Sequence, residues 1–293
     1  MKVGIYGQSN NVITIKYVNY LVDLCLKNGV SIHFEENFYK SYHKLHKGSK
    51  FRTFSGYKNL DRDLSFFFTV GGDGTFLRSI TFIRDLNIPI IGINTGRLGF
   101  LATIQKEEIE SAFHQIITEQ FTVQNRTLLS VQTIDSNTDF NELNFALNEI
   151  SITRKNTASM IKVDAILDDE FLTTYWSDGL IISTPTGSTG YSLSCGGPII
   201  SPTSKNIVLT PIAPHSLAVR PLVIPEQTDI KLHIDSRADE VLLTLDSRMY
   251  TLSNKSKIQI KMCPFTIKTV QLKDQTFIKT LREKLLWGED KRN

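Results

Sequence analysis

The chain of 293 residues is poor in cysteine, in excess charge and in long apolar runs. Its three cysteines, Cys25, Cys195 and Cys263, are odd in number and far apart. That excludes a disulfide framework and a cysteine-built zinc cluster. Cys25 falls in an apolar helical stretch and reads as a small core residue. The formal net charge of +3 is too small to argue for a nucleic-acid partner, and no lysine and arginine stripe is interleaved with aromatics. No stretch is long and apolar enough to span a bilayer, so no membrane is expected. The opening residues Met1 to Tyr6 read as a strand rather than a signal peptide. A reducing, cytoplasmic setting is the expectation. With 41% hydrophobic and 22% charged residues the composition is that of a globular protein with room for two domains.

What is present begins with order. Val3 to Tyr6, Val30 to Phe34, Phe66 to Val70 and Pro89 to Ile93 read as strands. Tyr17 to Leu26 has helical spacing and a stop at Asn28-Gly29. Alternation of this kind predicts a parallel sheet covered by helices, with ligands at the carboxyl ends of its strands. Residues 37–62 are rich in Tyr, Lys, Ser and Gly and are expected to form a basic loop. The His43 and His46 pair inside it lacks an evident third ligand, so a metal site is not favoured there. Residues 107–119 read as a helix. From about Phe121 short strands and polar turns predict a β-rich part, and Phe277 to Trp287 returns to helical spacing.

Two segments carry chemistry. The strand Phe66 to Val70 runs into Gly71-Gly72-Asp73-Gly74-Thr75, which opens a helix through Phe76, Leu77, Ile80 and Ile83. Glycine lets a polyanion approach backbone N–H groups, and a helix offers it a positive end. Asp73 in that place points to phosphoryl transfer onto a hydroxyl; the plainer alternative is a helix N-cap. Downstream, the strand Gly179 to Ser183 ends in Thr184-Pro185-Thr186-Gly187-Ser188-Thr189-Gly190-Tyr191-Ser192. Hydroxyls, glycines and one aromatic face there suit a polar planar ligand; the plainer alternative is a surface loop.

Together these segments resemble the NAD kinase family. The family's GGDG motif stands as Gly71 to Gly74, its G-x-N-x-G-x-L-G-F element as Gly92 to Phe100, and its Asn-Glu pair as Asn148-Glu149. Its D-G…T-P-T-G-S-T-x-Y stretch runs from Asp178 to Tyr191, and an H-S-L-x-x-R-P-L-V element from His215 to Pro225. The resemblance implies transfer of the terminal phosphoryl group of ATP, or of polyphosphate, to the 2′-hydroxyl of the adenosine ribose of NAD. Asp73 would be the catalytic base. Gly71, Gly72, Gly74 and Thr75, with Arg97, would form the phosphate loop. Asn148, Glu149, Asp178, Thr186, Thr189, Gly190, Tyr191 and Ser194 would bind the dinucleotide. Mg²⁺ or another divalent cation is expected with ATP, and no metal held by the protein itself. The implied fold is α/β plus all-β: a Rossmann-like parallel α/β domain over residues 1–120, a β-sandwich-like domain over 121–265, and a strand and helix over 266–293 packing back on the first. A homodimer or homotetramer with shared sites is implied. Trp176-Ser177 stands where family members often carry a small or basic residue, which removes any cation at position 176. The runner-up activities are a lipid kinase of the diacylglycerol or sphingosine type, which shares the glycine turn, and a dinucleotide sensor without turnover.

Overall fold

The computed structural model describes residues 1–8, 11–45, 50–135, 139–140, 142–155 and 159–286. The chain divides into two compact units, residues 1–125 with 267–293, and residues 126–266.

The first unit opens with β1 (Lys2–Gly7), α1 (Val12–Lys27), β2 (Ser31–Glu35), α2 (Glu36–Leu45) and β3 (Arg52–Phe54). It continues with β4 (Phe66–Gly71), α3 (Asp73–Ile83), β5 (Ile90–Asn94), β6 (Ile104–Gln105), α4 (Ile109–Ile117) and β7 (Phe121–Arg126). The second unit holds β8 (Leu129–Thr133), β9 (Phe145–Ala146), β10 (Glu149–Arg154), β11 (Ile161–Leu167), β12 (Glu170–Ser177) and β13 (Gly179–Ser183). A short helix α5 (Tyr191–Ser194) precedes β14 (Asn206–Ile212), β15 (Leu222–Pro225), β16 (Ile230–Asp235), β17 (Glu240–Leu245), β18 (Arg248–Ser253) and β19 (Lys257–Met262). The chain then returns to the first unit as β20 (Ile267–Leu272) and α6 (Phe277–Leu285).

In the first unit the sheet order is β3-β2-β1-β4-β5-β20-β7, with β6 added beside β5. The pairs from β3 across to β5 and β20 are parallel. Strands β4 and β5 are almost wholly buried, which is why both read as unbroken apolar runs in the sequence. Phe68 and Val70 share a core with Val18, Leu21 and Cys25 of α1 and with Phe113 of α4. Phe67 instead packs on Phe54 and on Phe82 of α3. Burial pushes the Cys25 thiol up to about 12, as befits a packing residue.

Residues 37–62 correct the expected loop. They hold most of α2, and β3 runs parallel to β2 at the sheet edge. Phe38 and Tyr42, one turn apart, are buried, and the Glu35 carboxylate accepts the Phe38 N–H at 2.7 Å at the helix start. Two anchors in a polar stretch leave a faint periodicity. His43 packs on the Tyr39 ring at 5.4 Å, and His46 lies outside the described residues.

The second unit is two six-stranded sheets, β15-β14-β13-β10-β17-β18 and β12-β11-β16-β19-β8-β9. Their inner faces meet in one core, with Ile150, Leu180 and Leu243 from one sheet and Val163, Leu232 and Ile260 from the other. This is a β-sandwich, as implied by the resemblance. No helix among the described residues is long and apolar enough to cross a membrane.

Candidate active site

In the first unit the chemistry-bearing turn joins β4 to α3. Gly72 is the N-cap residue and Asp73 the first helical residue, so Asp73 does not cap the helix. Its carboxylate instead reaches the loop after β5. Oδ2 accepts the Phe100 N–H at 2.9 Å, and Oδ1 accepts those of Leu101 at 3.1 Å and Ala102 at 2.9 Å. One charged side chain thus holds three successive backbone donors. Gly99 makes this possible: a Cβ there would lie 1.9 Å from Asp73 Oδ1. Gly72 and Gly74 are different, because a Cβ on either would meet nothing within 4 Å. The chain's own packing does not require glycine at those two positions. The Thr75 and Phe76 N–H groups both donate to the Gly72 carbonyl, at 2.9 and 3.2 Å, which closes the first turn of α3.

The loop clasped by Asp73 is also held from its far side. Phe100 packs on Phe277 of α6 at 6.3 Å, and Lys284 Nζ donates to the Leu98 carbonyl at 2.5 Å. Asn94 closes the loop from within, donating to the Arg97 carbonyl at 2.7 Å and accepting from the Gly96 N–H at 2.7 Å. The Arg97 side chain is exposed, and Thr75 sits under Gly71, where a Cβ would fall 2.3 Å from its Oγ1.

In the second unit the antiparallel register pairs Glu149 at the start of β10 with Ser183 at the end of β13. The loop after β13 is stitched to the segment before β10. Thr184 Oγ1 donates to the Leu147 carbonyl at 2.6 Å, and the Thr184 N–H donates to that of Asn148 at 2.9 Å. Gly187 lies flat on Asn148, where a Cβ would fall 2.1 Å from its carbonyl oxygen. Ser188 donates to the Pro185 carbonyl and accepts the Ile200 N–H, which fixes the turn carrying Thr186 and Thr189. Gly190 faces Glu149: a Cβ there would stand 3.1 Å from Oε2. Tyr191 opens α5 with 43% of its surface exposed, and Ser194 closes it, also exposed.

Among the described residues of this unit, two buried side-chain acceptors have no partner. Asn148 Oδ1 and Glu149 Oε2 are both sealed from water and unbonded. Burial, and then the Asp246 charge, push the Glu149 carboxyl up to about 8, while the Tyr191 N–H pulls it down. The residue as a whole keeps some exposed surface, but the carboxyl that carries the charge is inside, and its surroundings decide the shift.

Asn148, Glu149, Thr186, Gly190 and Tyr191 are therefore gathered around one turn. Asp178 is not. It precedes Gly179 at the opposite end of β13 from Ser183, a strand length of about 15 Å away. There it pairs with Arg154 at 2.8 Å. Tyr191 senses both ends: burial first, then Cys195, Asp178 and Glu149 raise its phenol. Sequence reasoning missed Asp246, whose carboxylate accepts the N–H groups of Leu147 at 3.0 Å and Asn148 at 2.7 Å. Its one local signal is an acidic residue at the tight turn between two strands.

Residues 3–121 match the ATP-NAD kinase N-terminal domain, and residues 147–272 match the ATP-NAD kinase C-terminal domain. The chain belongs to the NAD kinase family. The NAD kinase of Christiangramia forsetii is 52% identical over 294 residues, covering 100% of both chains. That of Flavobacterium johnsoniae is 48% identical, also over 100% of both. Among solved structures, yeast NADH kinase in complex with NADH has a TM-score of 0.87 at 26% identity, over 99% of this chain and 89% of that one. An Archaeoglobus fulgidus NAD kinase in complex with ATP has the same fold, with a TM-score of 0.77 at 23% identity over 98% and 99%.

Proposed function

We propose that the protein phosphorylates NAD as its family does, moving the terminal phosphoryl group of ATP to the 2′-hydroxyl of the adenosine ribose. The observation that carries the site assignment is the orphaned pair Asn148 Oδ1 and Glu149 Oε2. Two buried acceptors without donors on adjacent residues are costly, and ribose hydroxyls are donors of the kind they lack. A side chain at position 190 would crowd Glu149, with its Cβ 3.1 Å from Oε2. Tyr191 offers an exposed ring for stacking against a base. An extended dinucleotide has the length to run from Glu149 past Tyr191 toward Asp178, and Thr186, Thr189 and Ser194 line the same loop and helix.

The phosphate end is assigned to Gly71, Gly72, Gly74, Thr75 and the start of α3, with Arg97 free to meet charge in solvent. Asp73 accepts the proton of the ribose hydroxyl. Oδ2, which accepts a single backbone bond, keeps a lone pair for the task. Phosphoryl transfer is loose, so the position of that charge matters more than its basicity. A divalent cation carried on the ATP phosphates supplies charge neutralisation. Among the described residues no three His, Cys, Asp or Glu side chains gather as a cage. NADP formed from NAD and Mg·ATP by the purified protein is the expected result, with polyphosphate as a second donor and a lipid alcohol as control acceptor. Phosphorylation of the lipid instead of NAD overturns the proposal.

A homodimer or homotetramer is the proposed assembly. Support comes from β12, an edge strand that exposes Phe171, Leu172 and Trp176. Light scattering at the mass of one chain would refute it. A cytoplasmic setting is proposed with it, which suits the buried Cys25 thiol.

A further inference from the structure

The hairpin turn between β17 and β18 carries no motif of the reaction, yet its first residue is the most heavily engaged carboxylate of the second unit. Asp246 has a left-handed backbone, with φ of 53°, which an aspartate tolerates better than most residues. Its side chain is 2% exposed. Oδ1 accepts the N–H groups of Asn148 at 2.7 Å and Glu149 at 3.3 Å, and Oδ2 accepts that of Leu147 at 3.0 Å. In return the Asp246 N–H donates to the Glu149 carbonyl at 3.0 Å. Three consecutive N–H groups converging on one anion form a nest, the concave backbone shape that otherwise binds phosphate or chloride. Here the anion is built into the chain. Arg248 supplies the balancing charge 3.8 Å from Oδ2, and its guanidinium is itself fixed on the Leu143 and Phe145 carbonyls.

We propose that Asp246 is a positioning residue for the dinucleotide: by filling the nest at Leu147 to Glu149 it fixes the backbone from which Asn148 and Glu149 present their unbonded oxygens. The proposal rests on the assignment of those two oxygens to ribose. The nest explains how a bend of three residues keeps two unsatisfied acceptors in place without a ligand. A flexible bend would turn them out to water. Two buried carboxyls also sit side by side here, and they share the charge unequally. Asp246 has three N–H donors and Arg248, so it is the better site for the negative charge. Burial raises both carboxyls, and Glu149 has the Tyr191 N–H to offset it where Asp246 has the three N–H groups and Arg248. The Tyr191 phenol is the remaining titratable group that senses Glu149. Asp246 therefore fixes the backbone that carries the Glu149 carboxyl and, after burial, adds to the rise in the pH at which that carboxyl ionises.

The test is calorimetric titration of NAD into the full-length protein from pH 6 to 9, for wild type, Asp246→Asn and Glu149→Gln, with the KM for ATP measured alongside. Asparagine suits the left-handed turn and keeps one acceptor, but its amide N–H₂ confronts a backbone N–H. Expected for Asp246→Asn is a rise in the NAD dissociation constant of about tenfold or more, a KM for ATP within about twofold, and a lower pH midpoint for NAD affinity. A merely structural role would not move that midpoint. Weakened NAD binding in Glu149→Gln with unchanged binding and midpoint in Asp246→Asn overturns the proposal alone. Unchanged NAD binding in Glu149→Gln removes the ribose assignment, and the positioning role with it. If Asp246→Asn does not fold, amide exchange on the wild type decides. Slow exchange at Leu147, Asn148 and Glu149 is expected, and exchange at the rate of an open loop at Leu147 and Asn148 overturns the proposal.

Discussion

Replacing Asp73 by asparagine separates two duties that this side chain performs at once. The carboxylate clasps the N–H groups of Phe100, Leu101 and Ala102, and it is the assigned acceptor of the ribose proton. An asparagine serves the clasp best with its oxygen at the Oδ1 position, where two of the three donors are. Its N–H₂ then faces the Phe100 N–H. Leaving that donor unpaired costs about 1–3 kcal/mol, and the two remaining bonds, no longer charge-assisted, lose about 0.5–1 kcal/mol each. The site is only partly buried, which brings the expected loss to about 2–3 kcal/mol. For a unit of this size that lowers Tm by roughly 5–10 °C. Turnover should fall by about 10²-fold or more, the usual span for a general base, while NAD affinity stays within about tenfold. Thermal scanning and steady-state kinetics on one preparation give both numbers. Gly99→Ala is the companion variant, since its methyl group would strike Asp73 Oδ1 without altering the carboxylate's chemistry. An Asp73→Asn protein with wild-type Tm refutes the clasp, and one with wild-type turnover refutes the proton acceptor.

Glu149→Gln should flatten the pH dependence of stability. The folded carboxyl titrates near 8, the unfolded one near 4.5, so wild-type stability falls as pH rises between those values and levels off above. The glutamine variant should gain Tm relative to wild type from pH 5 to 8, and parallel curves would contradict the shift. Tyr191→Ala should weaken NAD binding by about 1 kcal/mol through lost stacking, as read by calorimetry; wild-type affinity in a folded variant would remove the contact. Phe277→Ala removes the ring against Phe100 and should lower turnover more than NAD affinity, because it loosens the loop that Asp73 clasps; an unchanged kcat would count against that support.

How much of this was legible in the sequence depended on how local each signal is. Strands β4 and β5 are buried on both faces and announce themselves as apolar runs, and the glycine turn is contiguous. The helix α2 was hidden because two aromatic anchors, Phe38 and Tyr42, carry its burial in an otherwise polar stretch. Strand β12 exposes Phe171, Leu172 and Trp176, and β14 carries Pro211, so neither showed a clean alternation. The partners of Asp73 and Asp246 were beyond reach for a different reason. They are main-chain N–H groups, 27 to 29 residues away for Asp73 and up to 99 for Asp246, and a backbone donor has no side-chain letter. Asp178 stood inside the family motif, yet the register of β13 sets it at the other end of the strand from Glu149.

The first unit is written in two pieces, with β20 inserted beside β5 and α6 braced on the loop at Leu98 and Phe100. During synthesis, the glycine turn therefore leaves the ribosome long before its brace does. A chain halted at residue 266 already carries the motifs from Gly71 to Pro225, but its parallel sheet lacks β20 and its Asp73 loop lacks the support of Phe277 and Lys284. The loop at Asp73 thus leans on an element nearly two hundred residues further along the chain, and removing β20 and α6 would take away its support while leaving the motifs from Gly71 to Pro225 in place.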